Sequence, residues 1–475
     1  MKLLFQKIGA LKKQLDTRTR QKYRIKLFDQ KFLHLETLFT EGSIEEHTQW
    51  RVSSNCHPIP VFEGYILHFI FPSHTFPSPR HSLQVIIKRM IPLLLLLLPG
   101  VSARGEKRIP STVRLPPPRR TSDAPLGSVP CPCSSSALCS PVSGIPDREI
   151  FGFGSGGWNV TGEFDFDTLT TVAWGEGGGE FVCKAHANNV RVIGATTPPL
   201  SGNQTEIDDY IADTIQSVQE NFYDGVTFDY ESPVTGYDDP LNAIYVDVID
   251  QTTKALKAVN PNYQTSVCAA WSPLGIDGRY YDYKSLAAVS DFLYVMCYDT
   301  RSQVFYQCVA SANAPISICQ KGINDFLQLG VKPDKLVLGV PWYGYSYPCA
   351  NSDMTLESKL CEIPQEPFRG VNCSDAAGSE VQFSTAMDYI KTNNSDTAHV
   401  GPVWRDEYLN VQYFNYINDG EDTIHQFWFD DDVSLSPIYM WVKEMELRGT
   451  GPFTFSQAGS GEDSKKMWEA LKLAL

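Results

Sequence analysis

Three things are missing from this 475-residue chain, and each absence removes a class of function. The apolar run at residues 93–98, six leucines, is far short of the roughly 20 residues a helix needs to cross a bilayer, so membrane insertion is not expected. No Gly-x-Gly-x-x-Gly opens a helix at the first strand-helix unit. The Gly-rich stretch 151–157 lacks a following helix with an acidic ribose partner, which argues against a nucleotide. Cys131, Cys133 and Cys139 have no second thiolate or histidine pair at zinc spacing, so disulfides are preferred to a metal; neither metal nor cofactor is expected. Positive charge is scarce where the cysteines are: 20 Lys+Arg stand against 46 Asp+Glu in residues 131–475, but 20 against 9 in residues 1–130. An acidic body repels nucleic acid and anionic membrane surfaces, and it suits an acidic compartment.

The basic first part reads differently. Residues 1–89 carry scattered cations, no sustained period and Pro-rich stretches, as a non-native or disordered extension would. Residues 90–103 combine a preceding Lys88-Arg89, the leucine run and a small-residue end at Val101-Ser102-Ala103, the pattern of a secretory signal with Met90 as start. Residues 104–130 are Arg/Pro-rich and read as a linker. Eleven of the 12 cysteines follow in residues 131–475, with glycan acceptor patterns at Asn159, Asn203, Asn372 and Asn393. Together these indicate an oxidising lumen and a disulfide framework whose pairing the spacing does not settle. The odd count leaves at least one free thiol if no bridge leaves this part.

From about residue 148, short β-rich runs alternate with helical patterns. Candidate strands are 149–153, 171–174, 190–195, 225–230, 264–270, 292–298, 336–341 and one near 451–455; helices fall at 208–221, 245–259, 316–329 and 438–448. About eight such units predict an α/β fold, a (β/α)8 TIM barrel, in which residues 346–430 break the alternation as a small antiparallel insertion before the last helix.

The chemistry concentrates in Asp224-Gly-Val-Thr-Phe-Asp-Tyr-Glu231. In an extended strand Thr227, Asp229 and Glu231 share one face and Val226, Phe228 and Tyr230 the other. Neighbouring carboxylates oppose each other's ionisation, which raises one pKa and yields an acid that keeps its proton near neutral pH. A half-buried strand with a solvated polar face would produce the same pattern. As the fourth barrel strand, however, it carries Asp229 and Glu231 to the carboxyl end, where barrel enzymes place their sites. Trp271, Tyr298, Trp342, Tyr343 and Trp428 recur near other strand ends, and aromatic faces beside carboxylates are how proteins hold sugars, although each alone is more often core.

These residues resemble glycoside hydrolase family 18 and, within it, the chitobiases. The family's D-G-x-D-x-D-x-E is matched at Asp224, Gly225, Asp229 and Glu231, and the similarity extends over residues 131–450. It includes Cys131-Pro-Cys133, Ala270-Trp-Ser-Pro273, Val295–Asp299, Gly339–Tyr345, Pro367–Gly370, Cys373–Gly378 and Gln426–Asp430. The resemblance implies hydrolysis of the β1,4 bond of di-N-acetylchitobiose at the reducing end of N-linked glycan fragments, with retention and no enzyme nucleophile. Glu231 would be the general acid and base. Asp229 would orient the substrate acetamide, Asp224 would support Asp229, and Tyr298 would hydrogen-bond the acetamide carbonyl. Asp299 would line the same subsite, with Trp271, Trp342, Trp428 and Phe453 as sugar contacts. The implied partner is an N-acetylglucosamine oligosaccharide, the implied state a monomer, and the implied location the lysosome or, alternatively, outside the cell. Two departures stand out: Thr227 where most of the family has Asp, and Phe453 where the last strand usually carries Trp. A secreted endo-chitinase and a silent chitin-binding lectin are the alternatives.

Overall fold

The computed structural model describes residues 24–29, 33–38, 65–69, 129–154, 164–175, 179–303, 307–392 and 398–475. The chain forms two units, Met1–Arg119 and Arg120–Leu475. In the first, β1 (Arg24–Asp29) pairs antiparallel with β2 (Leu33–Leu38) and β3 (Tyr65–Phe69). The expected signal at 90–103 and most of the linker lie outside the described residues.

The second unit is the expected barrel. Eight parallel strands close in the order β10-β16-β4-β5-β6-β7-β8-β9. They are β4 (Glu149–Phe153), β5 (Thr171–Ala173), β6 (Arg191–Thr196), β7 (Gly225–Phe228), β8 (Gln264–Ala270), β9 (Phe292–Met296), β10 (Leu336–Pro341) and β16 (Gly449–Phe453). β8 and β9 are buried along their whole length, as strands enclosed by helices on one side and barrel filling on the other must be. Helices α1 (Glu180–Ala187), α2 (Gln204–Glu220), α3 (Pro240–Val259), α4 (Tyr283–Val289), α5 (Ile316–Leu329), α6 (Phe383–Thr392), α7 (Asp432–Glu444) and α8 (Glu462–Leu471) complete the unit. The long ones have legible ends. Asp239 caps α3 by accepting from the Leu241 amide at 3.0 Å ahead of Pro240, and Gly330 closes α5 at φ 96°.

A five-stranded antiparallel sheet, ordered β12-β11-β15-β14-β13, emerges between β10 and α7. Its strands are β11 (Tyr343–Pro348), β12 (Ser379–Gln382), β13 (Ala398–Arg405), β14 (Gln412–Asn418) and β15 (His425–Phe429). It is the expected insertion, but it precedes the penultimate helix: α8 follows β16 and is the last.

Two cores sit on opposite sides of the barrel wall. Outside, between strands and helices, lie residues such as Val226, Phe228, Val267, Leu293, Val295, Leu338, Val340 and Trp342. Inside lie Phe151, Phe153, Ile193, Cys268, Phe292, Tyr294, Met296, Tyr298 and Val337, capped by the partly exposed Trp174, Tyr345 and Phe453. Five disulfides brace the unit: Cys131–Cys139, Cys133–Cys183, Cys297–Cys319, Cys308–Cys373 and Cys349–Cys361. Cys268 is left as a buried free thiol, which satisfies the odd count. The sulfurs of Cys131, Cys133 and Cys139 lie within 4.8 Å of one another, but all three are consumed by disulfides and offer no thiolate to a metal. Among the described residues no helix is long and apolar enough to cross a membrane.

Candidate active site

The site begins with a glycine. Gly225 opens β7 at φ 143°, and a Cβ there would lie 1.8 Å from the Gln264 carbonyl oxygen, so only glycine lets β7 and β8 pair this closely. From there the strand alternates as expected. Val226 and Phe228 enter the outer core and Thr227 the barrel interior. Asp229 and Glu231 follow at the carboxyl end.

Asp229 donates its backbone N–H to the Thr196 carbonyl (3.1 Å), which continues the β6–β7 ladder past the strand end. Its Oδ1 is buried without a hydrogen-bond partner. Burial, and then the charge of Glu231, push the Asp229 carboxyl up to about 7. Glu231 stands at the rim with half of its side chain exposed and pairs with Arg279, which reaches Asp277 at 2.9 Å with its other nitrogen. One carboxyl of the pair is thus raised, as expected. It is Asp229 that keeps its proton near neutral pH, because it is the more enclosed of the two.

Tyr298 continues inward from β9, buried, with its ring 5.4 Å from Phe453 and 6.0 Å from Tyr343. Burial raises its hydroxyl well above the ordinary value, so it remains an O–H donor. Asp299, at φ 50°, accepts from the Tyr343 hydroxyl (2.6 Å) and the Tyr345 hydroxyl (3.0 Å). Burial lifts it to about 6 against those two bonds. Phe453 ends β16 at the mouth, in ring contact with Phe153, Trp174, Tyr298 and Tyr343. Asp229, Glu231, Tyr298, Asp299 and Phe453 are therefore gathered at the carboxyl face.

Four expectations need correction. Asp224 does not support Asp229. It precedes β7, about 16 Å of extended chain from Asp229. Its oxygens accept from the Val142 amide (2.7 Å) and the Val192 amide (2.7 Å) and meet His186 Nε2 at 2.8 Å. Trp342 is fully buried outside the barrel, against Phe455 and Trp468, with its indole N–H donated to the Tyr439 hydroxyl. Trp271 also faces outward, packed on α5 with Lys321 over its ring at 5.9 Å. Trp428 lies within the insertion, stacked on Tyr413 at 4.3 Å and bonded to Gln426. None of these tryptophans meets the mouth. Of the sequons, Asn203 and Asn372 are exposed, while Asn159 and Asn393 lie outside the described residues.

Two residues were missed. Arg279 follows a stretch read only as Ala-Trp-Ser-Pro, and nothing local marks it as the partner of Glu231. Trp174 ends β5 with φ 55°, an uncommon backbone for a bulky side chain. Its ring lies 5.0 Å from Phe153 and 5.8 Å from Phe453, with a buried, unpartnered indole N–H.

Comparison with known proteins bears on this geometry. Residues 193–458 match the model of "Glycosyl hydrolases family 18". The chain belongs to glycosyl hydrolase family 18. It is 41% identical over 351 residues to "Probable di-N-acetylchitobiase 2" of Dictyostelium discoideum, covering 72% of this chain and 90% of that protein. It is 34% identical over 359 residues to human di-N-acetylchitobiase, covering 72% and 88%. A class V chitinase of Nicotiana tobaccum, solved in complex with NAG4, shares the fold at a TM-score of 0.54 and 14% identity, over 69% of this chain and 99% of that one. The family 18 member is thus a glycosidase of di-N-acetylchitobiase type with a barrel fold.

Proposed function

We propose that this glycosidase cleaves the β1,4 bond of di-N-acetylchitobiose at the reducing end of N-linked glycan fragments, with retention and with the substrate's own acetamide as nucleophile. The observation that carries the reading is the pairing of a proton-bearing, enclosed Asp229 with a rim-exposed Glu231 at the carboxyl end of the fourth barrel strand. Glu231 donates a proton to the glycosidic oxygen as the C1–O bond breaks. The acetamide carbonyl oxygen attacks C1 and closes an oxazolinium ring. Glu231 then takes a proton from water, which attacks C1 from the face the leaving sugar vacated and reopens the ring. The proton held by Asp229 is available to replenish Glu231 as substrate excludes water and parts Glu231 from Arg279. Asp229, now charged, faces the positive ring nitrogen. The Tyr298 hydroxyl donates to the acetamide carbonyl and steers it toward C1.

The sugar floor is Phe453 supplemented by Trp174. That supplement weighs against the silent-lectin reading, because the smaller ring at 453 does not leave the mouth without an indole. An acidic lumen, the lysosome, fits a site whose carboxyls hold protons up to near-neutral pH. The test is hydrolysis of di-N-acetylchitobiose and of chitotetraose by wild type and Glu231→Gln. Loss of about 10²–10⁴-fold in kcat with unchanged thermal stability is expected. Equal turnover of substrates without a 2-acetamido group would refute the substrate-assisted step, and internal cleavage of chitotetraose would point to the endo-acting alternative.

A further inference from the structure

At the amino-terminal end of the barrel, opposite Asp229 and Glu231, lies a cavity of about 360 Å³ that the reaction above does not use. Residues 142–146, which lead into β4, form its lip, and Asn188, Asn189 and Arg191, between α1 and β6, form its wall. Arg191 opens β6 in register with Thr171 of β5 and shares the inward parity of Ile193. It is 5% exposed. Its guanidinium uses one of three nitrogens: Nη2 donates to the Gly144 carbonyl, while Nε is buried without a partner. Among the described residues no carboxylate pairs with it. The enclosed acids of this floor are engaged elsewhere. Glu149 accepts from Thr170 (2.7 Å), Gln264 (2.8 Å) and Arg448 (3.2 Å), and Asp224 meets His186 at 2.8 Å. A buried arginine with no counter-charge is rare, because an uncompensated cation loses its hydration and gains nothing in return. Lys184 adds positive charge beside the cavity, its Nζ 5.2 Å from the Phe166 ring that lines it. The backbone N–H groups of the exposed Ser143, Gly144 and Ile145 donate to no protein atom among the described residues.

We propose that this floor cavity binds a small hydroxylated oxyanion, a sugar carboxylate or a sugar phosphate. Its charged group sits against the Arg191 guanidinium and the 143–145 amides, and its hydroxyls meet the Asn188 and Asn189 side chains. The inference stands apart from the glycosidase reaction and does not rest on it. Charge sets the class of ligand: an oxyanion supplies the counter-charge that Arg191 lacks, and a guanidinium fork matches the two oxygens of a carboxylate or phosphate. Size narrows it. A cavity of this volume is at the lower end of small-molecule sites, too large for bare phosphate and too small for an oligosaccharide. The asparagines offer both donors and acceptors, which suits hydroxyl groups. Asp167 also lines the cavity and opposes the anion, but it is exposed, so solvent weakens its repulsion more than it weakens the attraction of the enclosed Arg191.

The experiment titrates the full chain with glucuronate, glucose 6-phosphate, inorganic phosphate and glucose by calorimetry at constant ionic strength. Wild type should bind one or both sugar anions saturably, one per chain, and glucose not at all. Binding of glucuronate alone assigns the site to carboxylates, and of glucose 6-phosphate alone to phosphates. Arg191→Gln should weaken binding about 10–100-fold, the loss of a charge-assisted hydrogen bond. Because Arg191 also holds the Gly144 carbonyl, that variant may be less stable, so Asp167→Asn supplies a second arm. Removing the opposing charge from the exposed rim should tighten binding up to about fivefold, which a purely structural role for Arg191 would not produce. The rise of Tm with added sugar anion should follow the same order: Asp167→Asn, wild type, Arg191→Gln. Failure of both sugar anions to bind overturns the proposal, as does an affinity that is the same in all three proteins. Inorganic phosphate binding as tightly as glucose 6-phosphate would overturn the hydroxyl contacts. Hydrolysis of di-N-acetylchitobiose by Asp167→Asn should match wild type, since the cavity and the mouth are at opposite ends of the barrel.

Discussion

Raising the pH from 5 to 7.5 should destabilise this fold, and the structure says by how much. Among the described residues five carboxyls hold their protons above the ordinary range, each chiefly through burial: Asp229, Asp375 and Asp430 at about 7, Asp299 at about 6, and Glu380, raised in the same direction. A folded-state pKa above the unfolded value means that the native state binds more protons in this window, so stability is lost as pH rises through the folded pKa. For a group moved from 3.8 to about 7 the loss between pH 5 and 7.5 is roughly 2–3 kcal/mol, and for Asp299 about 1 kcal/mol. His186 acts in the same direction, because its bond to Asp224 raises its pKa against the cost of burial. The lowered carboxyls Asp165 and Asp463 stay ionised across the window and do not offset the loss. Several kcal/mol is a large share of the 5–15 kcal/mol typical of a domain. A Tm lower by about 10 °C at pH 7.5 than at pH 5 is expected by calorimetry at constant ionic strength. Removing one contributor, as in Asp430→Asn, should flatten the profile by about its share. A Tm that is equal or higher at pH 7.5 would refute the reasoning.

Other outcomes follow from the site. The kcat/KM of the wild type should fall above about pH 7, as Asp229 loses the proton that replenishes Glu231; a flat profile to pH 8.5 would contradict that supply. Phe453→Trp should lower KM by up to about fivefold, equivalent to about 1 kcal/mol of added sugar contact, while Trp174→Ala should raise it. Trp342→Ala should cost about 3–5 kcal/mol in denaturant unfolding and leave KM of the surviving folded protein unchanged, since the ring fills the outer core.

The barrel was legible because parallel strands are written as short apolar runs. Strands 149–153, 264–270 and 336–341 have the same bounds in sequence and structure, and the other barrel strands differ by one or two residues at one or both ends. Four helices escaped notice: α1, α4, α6 and α8 have only seven to ten residues, too few turns for a clear period. The misplaced tryptophans have a simpler explanation. Along a strand, parity decides the face. Phe292, Tyr294 and Met296 face inward, so Tyr298 does too. Val337 faces inward, which sends Trp342 outward, and inward Cys268 sends Trp271 outward. Proximity to a strand end does not place a ring at the mouth; odd or even position along the strand does. Trp174 evades even that rule, because inward Ala173 would turn it away but its left-handed backbone returns it to the mouth. The Glu231–Arg279 pair spans 48 residues through a loop, and no local pattern encodes it.

The first and last acids of one eight-residue motif serve opposite faces of the barrel. Asp224 rivets the floor: it fixes the segment around Val142 and, through His186, the carbonyl of Leu138. Stripping that buried pair of one partner typically costs 3–5 kcal/mol. A survey that scored only turnover would therefore place Asp224 among the reacting groups, whereas a melting curve would sort it with the girders.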